Sequence, residues 1–268
     1  MSMKLNYVLQ LADNALINGQ RLSEWCGHGP ILEQDIAITN TALDHIGQAR
    51  SLFQYAANLY NELTETERQD LFTSPALNTI TKADEDNLAF LRDAWDFKNL
   101  LLVETPNEDW AYTIARSFFY DHFSFLLYTA LSNANDESIK AIAIKSLKEV
   151  SYHRKWSSEW VIRLGDGTEE SKTKIQTAIN ERWPYTQELF MLTTADQFAL
   201  ENGFGVDLTQ IESEWKHNIA SVLDEATLTM PTETWGHRGG KEGIHTEHLG
   251  YILAEMQFLQ RAYPNMEW

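Results

Sequence analysis

The chain has 268 residues, of which 43% are hydrophobic and 22% are charged, a composition typical of globular rather than disordered proteins. Its 39 acidic residues outnumber the 21 basic ones, and the resulting formal net charge of −18 opposes binding to nucleic acid and to anionic membrane surfaces. A single cysteine, Cys26, excludes an internal disulfide, and we expect a cytoplasmic protein because neither a signal sequence nor an apolar membrane span is recognisable.

The N-terminal part of the chain shows apolar residues at spacings of three and four, which predicts long helices. Helices are predicted over residues 6–25, 31–60 and about 84–103, with a polar connection over about 61–83. The second of these helices has a continuous apolar seam, formed by Ile38, Ala42, His45, Ala49, Leu52 and Ala56.

The rest of the chain continues the same pattern. Asp109 and Asp136 are placed to cap two further long helices, which are predicted over 109–132 and 136–165. Three more are predicted over 168–190 with an interruption at Pro184, from residue 207 onward, and over 246–261. Residues 232–243 form a glycine-rich loop. The sequence therefore predicts an all-α bundle of long helices in a single domain spanning residues 1–268.

Helical bundles of this kind can hold two metal ions through a Glu from each of two helices and a Glu-x-x-His motif from each of two others. Two histidines have an acid three positions earlier, in the pairs Glu214 with His217 and Glu242 with His245. His217 is predicted on the solvated face of its helix, and Glu242 lies among glycines where helical spacing does not apply. Neither pair is therefore predicted to be a metal motif of the core.

Five polar residues are predicted to face the core instead: Glu24, His45, Gln48, Asp121 and His153. Asp121 is the most informative, because an ionised carboxylate among aromatic residues is costly unless it is paired or bound to metal. The favoured interpretation is a hydrogen-bonded network that links Glu24, Asp121 and His153. A bound metal pair is the alternative, with fewer ligands than such a site normally has.

The remaining candidates have simpler interpretations. His28 is predicted to lie in a loop and Cys26 to be a packed thiol, since no acid and histidine beside it suggest a nucleophile. His245, Glu247 and His248 are predicted to mark a capped helix end or a contact between subunits rather than a metal site. Trp156 and Trp160 are expected to be core or interface anchors.

Several long strings of the sequence are distinctive: QRLSEWCGHGP (20–30), LDHIGQAR (43–50), NLLLVETP (99–106), KEVSYH (148–153), RLGDGTEE (163–170) and HTEHLGYILAEMQ (245–257). Together they resemble the C subunits of the bacterial phenylacetyl-CoA epoxidase, the PaaC family of phenylacetate-CoA oxygenase subunits. The resemblance runs from about residue 7 to residue 268, and the polar connection over 61–83 departs from it.

The resemblance implies a ferritin-like bundle within a multicomponent monooxygenase that converts the aromatic ring of phenylacetyl-CoA into a 1,2-epoxide. In that enzyme a di-iron site lies in a related A subunit, and a flavin and iron–sulfur reductase supplies electrons. A C subunit is the structural partner of the A subunit. The implied partners are therefore the A subunit, a small B subunit and the reductase, while a homodimer is left open.

Compared with the pattern of the A subunit, the sequence has an incomplete set of iron ligands. Glu24, Asp121 and His153 stand where that pattern has ligands, but His45 and Gln48 replace a Glu and a His, and Val150 replaces another Glu. The six degenerate di-iron positions are therefore Glu24, His45, Gln48, Asp121, Val150 and His153. We expect a non-catalytic subunit without metal or cofactor, and the alternative is a stand-alone ferritin-like di-metal oxidase with altered ligands.

Overall fold

A computed structural model describes residues 2–69, 71–232, 235–263 and 266, and its regular structure there is helical, with no strand among these residues. In chain order the α-helices are α1 Ser2–Glu24, α2 Leu32–Asn61, α3 Glu65–Gln69, α4 Pro75–Asn78, α5 Glu85–Phe90, α6 Leu101–Glu104, α7 Trp110–Leu131, α8 Glu137–Gly165, α9 Glu169–Arg182, α10 Thr194–Glu201, α11 Leu208–Glu225, α12 Glu247–Met256 and α13 Phe258–Ala262. The all-α class predicted from the sequence is confirmed.

Four long helices form the bundle. Helices α1 and α2 pack against each other along their length, α7 and α8 form a second pair, and α2 packs on α8 to join the pairs. The approach of α1 to α2 is close at Gly19, where a Cβ atom would lie only 2.9 Å from Ile46 Cδ1 and 3.3 Å from His45 Cβ. Because glycine has no Cβ atom, Gly19 allows α1 to pack closely on the helix that carries His45.

The predicted apolar seam of α2 is confirmed. Every residue of the predicted α2 seam is buried, and so are Ile114, Phe118 and Asp121 on α7 and Val150 and His153 on α8. The Asp109 and Asp136 carboxylates accept hydrogen bonds from the backbone amides of Tyr112 and Ile139, as helix-capping residues do. The repeating apolar pattern and the caps together account for where these helices lie.

The later helices surround this bundle. Helices α9 and α11 pack on α7 and α8, while α10 and α12 pack on α1. These contacts support one domain over residues 1–268, which stays a prediction. The helices of the described residues include none that is both long and apolar enough to cross a membrane.

The predicted helix over 84–103 is wrong, because the segment contains α5, a 3₁₀ turn at Ala94–Asp96 and α6. Side chains of α1 accept hydrogen bonds from backbone amides that would donate to backbone carbonyls in a continuous helix. The Asp13 carboxylate accepts a hydrogen bond from Lys98 N at 2.8 Å, and Asn14 Oδ1 accepts one from Leu100 N at 2.8 Å. These long-range bonds stabilise an irregular backbone that local periodicity cannot predict.

Other departures are smaller. The polar connection over 61–83 contains the short helices α3 and α4, and α10 is a helix that the sequence interpretation missed. The helix predicted over 168–190 ends at Arg182, and the chain continues through 3₁₀ turns around Pro184, which cannot donate a helical hydrogen bond. The glycine-rich loop includes a 3₁₀ turn at Gly240–Glu242, while residues 233 and 234 lie outside the described part.

Candidate functional site

Three of the predicted site residues meet in the middle of the bundle. His45 of α2 is 1% exposed, Asp121 of α7 is 1% exposed and His153 of α8 is fully buried. One nitrogen of each imidazole and one oxygen of the carboxylate lie within 4.8 Å of one another, and the two ring centroids are 5.0 Å apart. We call these three residues the core cluster.

The outer nitrogens of both imidazoles have partners. His153 Nε2 lies 2.9 Å from Asp44 Oδ2, so its N–H donates to that carboxylate. His45 Nε2 lies 3.0 Å from the side-chain amide of Asn18 on α1. One residue outside each imidazole therefore fixes the direction in which the ring faces the centre of the cluster.

The inner atoms of the core cluster have no hydrogen-bond partner. They are His45 Nδ1, His153 Nδ1 and Asp121 Oδ2. Ser157 forms a side-chain hydrogen bond with the Asp121 carboxylate, so that group is only half satisfied. Buried polar atoms in folded proteins are nearly always paired, so three unpartnered atoms on residues whose ligand atoms lie within 4.8 Å of one another suit a further group.

Burial also changes the proton affinities of the cluster. It raises the pKa of the Asp121 carboxyl to about 6, although His153, Ser157 and Arg116 oppose the change. It lowers the pKa of the His45 imidazole well below its usual range, and His153 lowers that pKa further, although the Gln48 side chain opposes the change. The His45 ring is therefore neutral at pH 7, with an unshared electron pair on one nitrogen.

Gln48 and Val150 are buried at the predicted degenerate positions but add no metal ligand to the core cluster. The Gln48 amide donates to Glu149 Oε2 at 2.9 Å, and Val150 is an apolar side chain with 1% exposure. Among the described residues, the core cluster is the group of potential ligands that comes together, and it contains one carboxylate. A carboxylate-bridged iron pair needs about four carboxylates and two imidazoles, so the residues present do not fit it.

The predicted participation of Glu24 in a core network is wrong. Glu24 lies exposed at the end of α1, where it pairs with Arg21 Nη1 at 2.7 Å and accepts a bond from Asn107 Nδ2 at 3.1 Å. Six helical residues separate Glu24 from Asn18, which corresponds to about 120° around the helix, so the two side chains face different surroundings. Asn18 is the α1 residue that reaches the core cluster.

The sequence interpretation missed both outer partners, Asn18 and Asp44. Asn18 occupies a buried position of α1 with 0% exposure, and an amide at an apolar position was the available signal. Asp44 precedes His45 in the chain but bonds to His153 on another helix. No spacing rule within one helix predicts such a contact between helices.

The other candidates lie away from the core cluster. The thiol of Cys26 is exposed and accepts a weak hydrogen bond from Thr39, so its prediction as a packed thiol is wrong, because it follows the end of α1. His28 lies exposed in its loop and His217 on the solvated face of α11, as predicted. Because both residues are exposed, neither contributes to the core cluster.

Two further predictions concern the ends of helices. Glu104 Oε1 accepts the Thr246 amide at 3.1 Å at the start of α12, and the preceding His245 lies 3.0 Å from the Phe97 carbonyl through Nε2. Thr246, the N-cap residue of α12, forms no side-chain capping bond, so the predicted capped helix end is not found and the alternative of a contact between subunits stays a prediction. Trp156 and Trp160 both donate to Gln34 Oε1, at 3.0 and 2.7 Å, and so anchor α8 to α2.

Comparison with known proteins gives the family. The sequence matches the phenylacetic acid catabolic proteins over residues 2–268. The chain belongs to this family. It is 44% identical over 262 residues to the C subunit of the 1,2-phenylacetyl-CoA epoxidase of Escherichia coli (strain K12), and the alignment covers 98% of each chain. This member of the family carries the core cluster on α2, α7 and α8.

Proposed function

We propose that this chain is a non-catalytic structural subunit of a ring-1,2-phenylacetyl-CoA epoxidase in aerobic phenylacetate degradation. In this role it binds and stabilises a di-iron A subunit, which performs the oxidation. The complex would also include a small B subunit and receive electrons from a flavin and iron–sulfur reductase. A cytoplasmic location is part of the same proposal.

The incomplete ligand set carries the proposal. Gln48 bonds to Glu149, Val150 is apolar and Glu24 is exposed at the end of α1, so three of the six positions offer no ligand to the core. Without bridging carboxylates, the positive charge of two irons would lie uncompensated in a buried site. The similarity to the C subunit of an epoxidase along both whole chains supports the same assignment.

A surface stripe on α2 supports the existence of a partner. Leu32, Ile36 and Leu43 are 71%, 51% and 63% exposed. At 100° per residue these three positions lie within about 40° of one another on the helix, so they form one apolar stripe. Exposed apolar patches are typical of protein interfaces, and we propose that this one is covered by the A subunit.

Reconstitution tests the division of labour. The A subunit and this chain are purified separately, and phenylacetyl-CoA epoxidation is measured for each alone and for the mixture, always with the reductase and the B subunit. We expect no turnover with this chain alone, and turnover with the A subunit that rises several-fold when this chain is added. Turnover by this chain without the A subunit would favour the alternative of a stand-alone di-metal oxidase.

A pair of variants tests the α2 stripe. Ile36→Glu combined with Leu43→Glu should abolish co-purification with the A subunit, because two carboxylates would be buried in an apolar contact. Leu200→Glu, at an exposed apolar position of α10, is the matched control and should bind normally. Wild-type binding should change little from low to high salt, and loss at moderate salt would indicate an ionic interface instead.

A further inference from the structure

The centre of the core cluster is enclosed by atoms that can donate electron pairs. His45 Nδ1, His153 Nδ1 and Asp121 Oδ2 have no partner, and each is almost completely shielded from solvent. Each buried polar atom without a partner lowers the stability of the fold, and three such atoms in the same place add to one another. A group that contacts all three at once removes that cost.

The dimensions suit one metal ion. Three atoms that lie within 4.8 Å of one another have a common point no farther than about 2.8 Å from each. Ligand distances to zinc are about 2.0–2.2 Å, so each atom needs to move by less than about 1 Å, which small side-chain rotations allow. A second ion would need bridging carboxylates, but Gln48 and Val150 provide an amide and an apolar side chain instead.

The surrounding contacts also suit an ion. The pairing of His153 with Asp44 is the arrangement in which a carboxylate orients a metal-binding imidazole. The oxygen and nitrogen of the Asn18 side-chain amide can be exchanged by a rotation of about 180°, and Asn18 Oδ1 has no other partner. In that orientation Asn18 Oδ1 accepts a hydrogen bond from His45 Nε2–H. His45 Nδ1 then carries the unshared electron pair of the neutral ring.

The charges balance as well. A divalent ion carries a charge of about +2, and the carboxylates of Asp121 and of the adjoining Asp44 together supply about −2. The side chain of Asp44 is 37% exposed, so one of these two carboxylates lies at the border between the cluster and solvent.

We propose that His45, Asp121 and His153 bind a single divalent transition-metal ion of the zinc type. The ion ties α2, α7 and α8 together in the middle of the bundle and takes part in no oxidation, since zinc has no redox chemistry. Two imidazoles and one carboxylate form a ligand set that zinc accepts, with a water molecule as the fourth ligand. This replaces the expectation of a metal-free chain and holds whether or not the chain is the structural subunit proposed above.

Metal analysis of the full-length chain tests the proposal. The untagged protein is expressed with added zinc, dialysed extensively and analysed for metals, and the metal-free protein is titrated with Co²⁺ while its visible absorption is followed. We expect about one zinc per chain and the intense absorption of four-coordinate Co²⁺. A zinc content below about one tenth per chain after loading means that only water fills the centre, and it overturns the proposal.

Variants locate the ion. Asp121→Asn and His45→Gln preserve side-chain size and should each lower the zinc content at least about 10-fold, whereas wild-type content in both would overturn the proposal. His122→Gln is the matched control: His122 is a buried histidine next to Asp121 in sequence, but it bonds to Ser158 instead. If the buried variants fail to fold, Asp44→Asn, at a partly exposed position, should weaken zinc binding about 10-fold, and unchanged affinity there would again overturn it.

Discussion

Two buried charged clusters in this molecule differ in how completely their atoms are paired. In the first, the Asp13 carboxylate binds the Arg92 guanidinium at two points and accepts the Lys98 amide, while Arg92 donates to the Leu88 and Asp96 carbonyls. In the core cluster, three inner atoms lack partners. A complete network stabilises the fold by itself, whereas an incomplete one indicates that a further group belongs there.

The complete cluster should be the more sensitive to mutation. Asp13→Ala leaves the fully buried Arg92 without its counter-charge, and we expect the free energy of unfolding to fall by about 3–5 kcal/mol. Urea unfolding at pH 7 measures this. Glu85→Gln, which removes the partner of the exposed Arg50, is the control and should cost less than about 1 kcal/mol. Equal losses would mean that the Asp13 pair is open to solvent.

The next largest loss of stability is expected at Val150, an apolar residue at a predicted iron-ligand position. Val150→Glu would place a carboxylate in the core without a partner, and we expect a loss of about 2–4 kcal/mol in the free energy of unfolding. Ile144→Glu, at an exposed position of the same helix, should change stability by no more than about 0.5 kcal/mol. A stable Val150→Glu protein that acquired two irons would contradict the proposed structural role.

The sequence predicts the long helices well but the segment after residue 84 poorly, and the reason is physical. Helix α2 is specified by its own seam and α7 and α8 by Asp109 and Asp136, all of which are local signals. Residues 94–100 instead take their conformation from the side chains of Asp13 and Asn14 on a distant helix. Periodicity contains no information about such partners.

The same distinction applies to the site. His45, Asp121 and His153 could be predicted because each belongs to the buried face of a long helix. Asp44 could not, because its bond crosses from one helix to another. The prediction for Glu24 is wrong because a helix end leaves the core within a turn, so a face extrapolated from the middle of α1 no longer describes its last residues.

A pH-dependent effect should distinguish the core cluster from the paired one in protein freed of metal with a chelator. The pKa of Asp121 is raised to about 6, above the ordinary value of about 3.9, so folding favours its protonated form. This contribution is complete below about pH 4 and is lost as the pH rises through about 6. Asp121→Asn imitates the protonated form at every pH, so it removes the dependence.

The stability of Asp121→Asn relative to the wild type should therefore be about 2–3 kcal/mol higher at pH 7 than at pH 4. Subtracting the two proteins cancels the opposite effect of His45, whose lowered pKa makes the folded state less stable as the pH falls below about 6.5. Asp166→Asn, at an exposed position, controls for the removal of a negative charge. A difference that stays constant from pH 4 to pH 7 would show that Asp121 is solvated.

The smallest effect compares two polar residues of α1, one at the end of the helix and one at the core cluster. Glu24→Ala removes an exposed carboxylate and its pairing with Arg21, so we expect a loss of at most about 1 kcal/mol. Asn18→Ala removes the partner of a buried imidazole and leaves a small void, so it should cost about 1–3 kcal/mol. Thermal unfolding of both variants at pH 7 gives the ranking. A larger loss of stability for Glu24→Ala than for Asn18→Ala would contradict this ranking. It would mean that Glu24 belongs to the core network, although it points about 120° away from Asn18 on the helix.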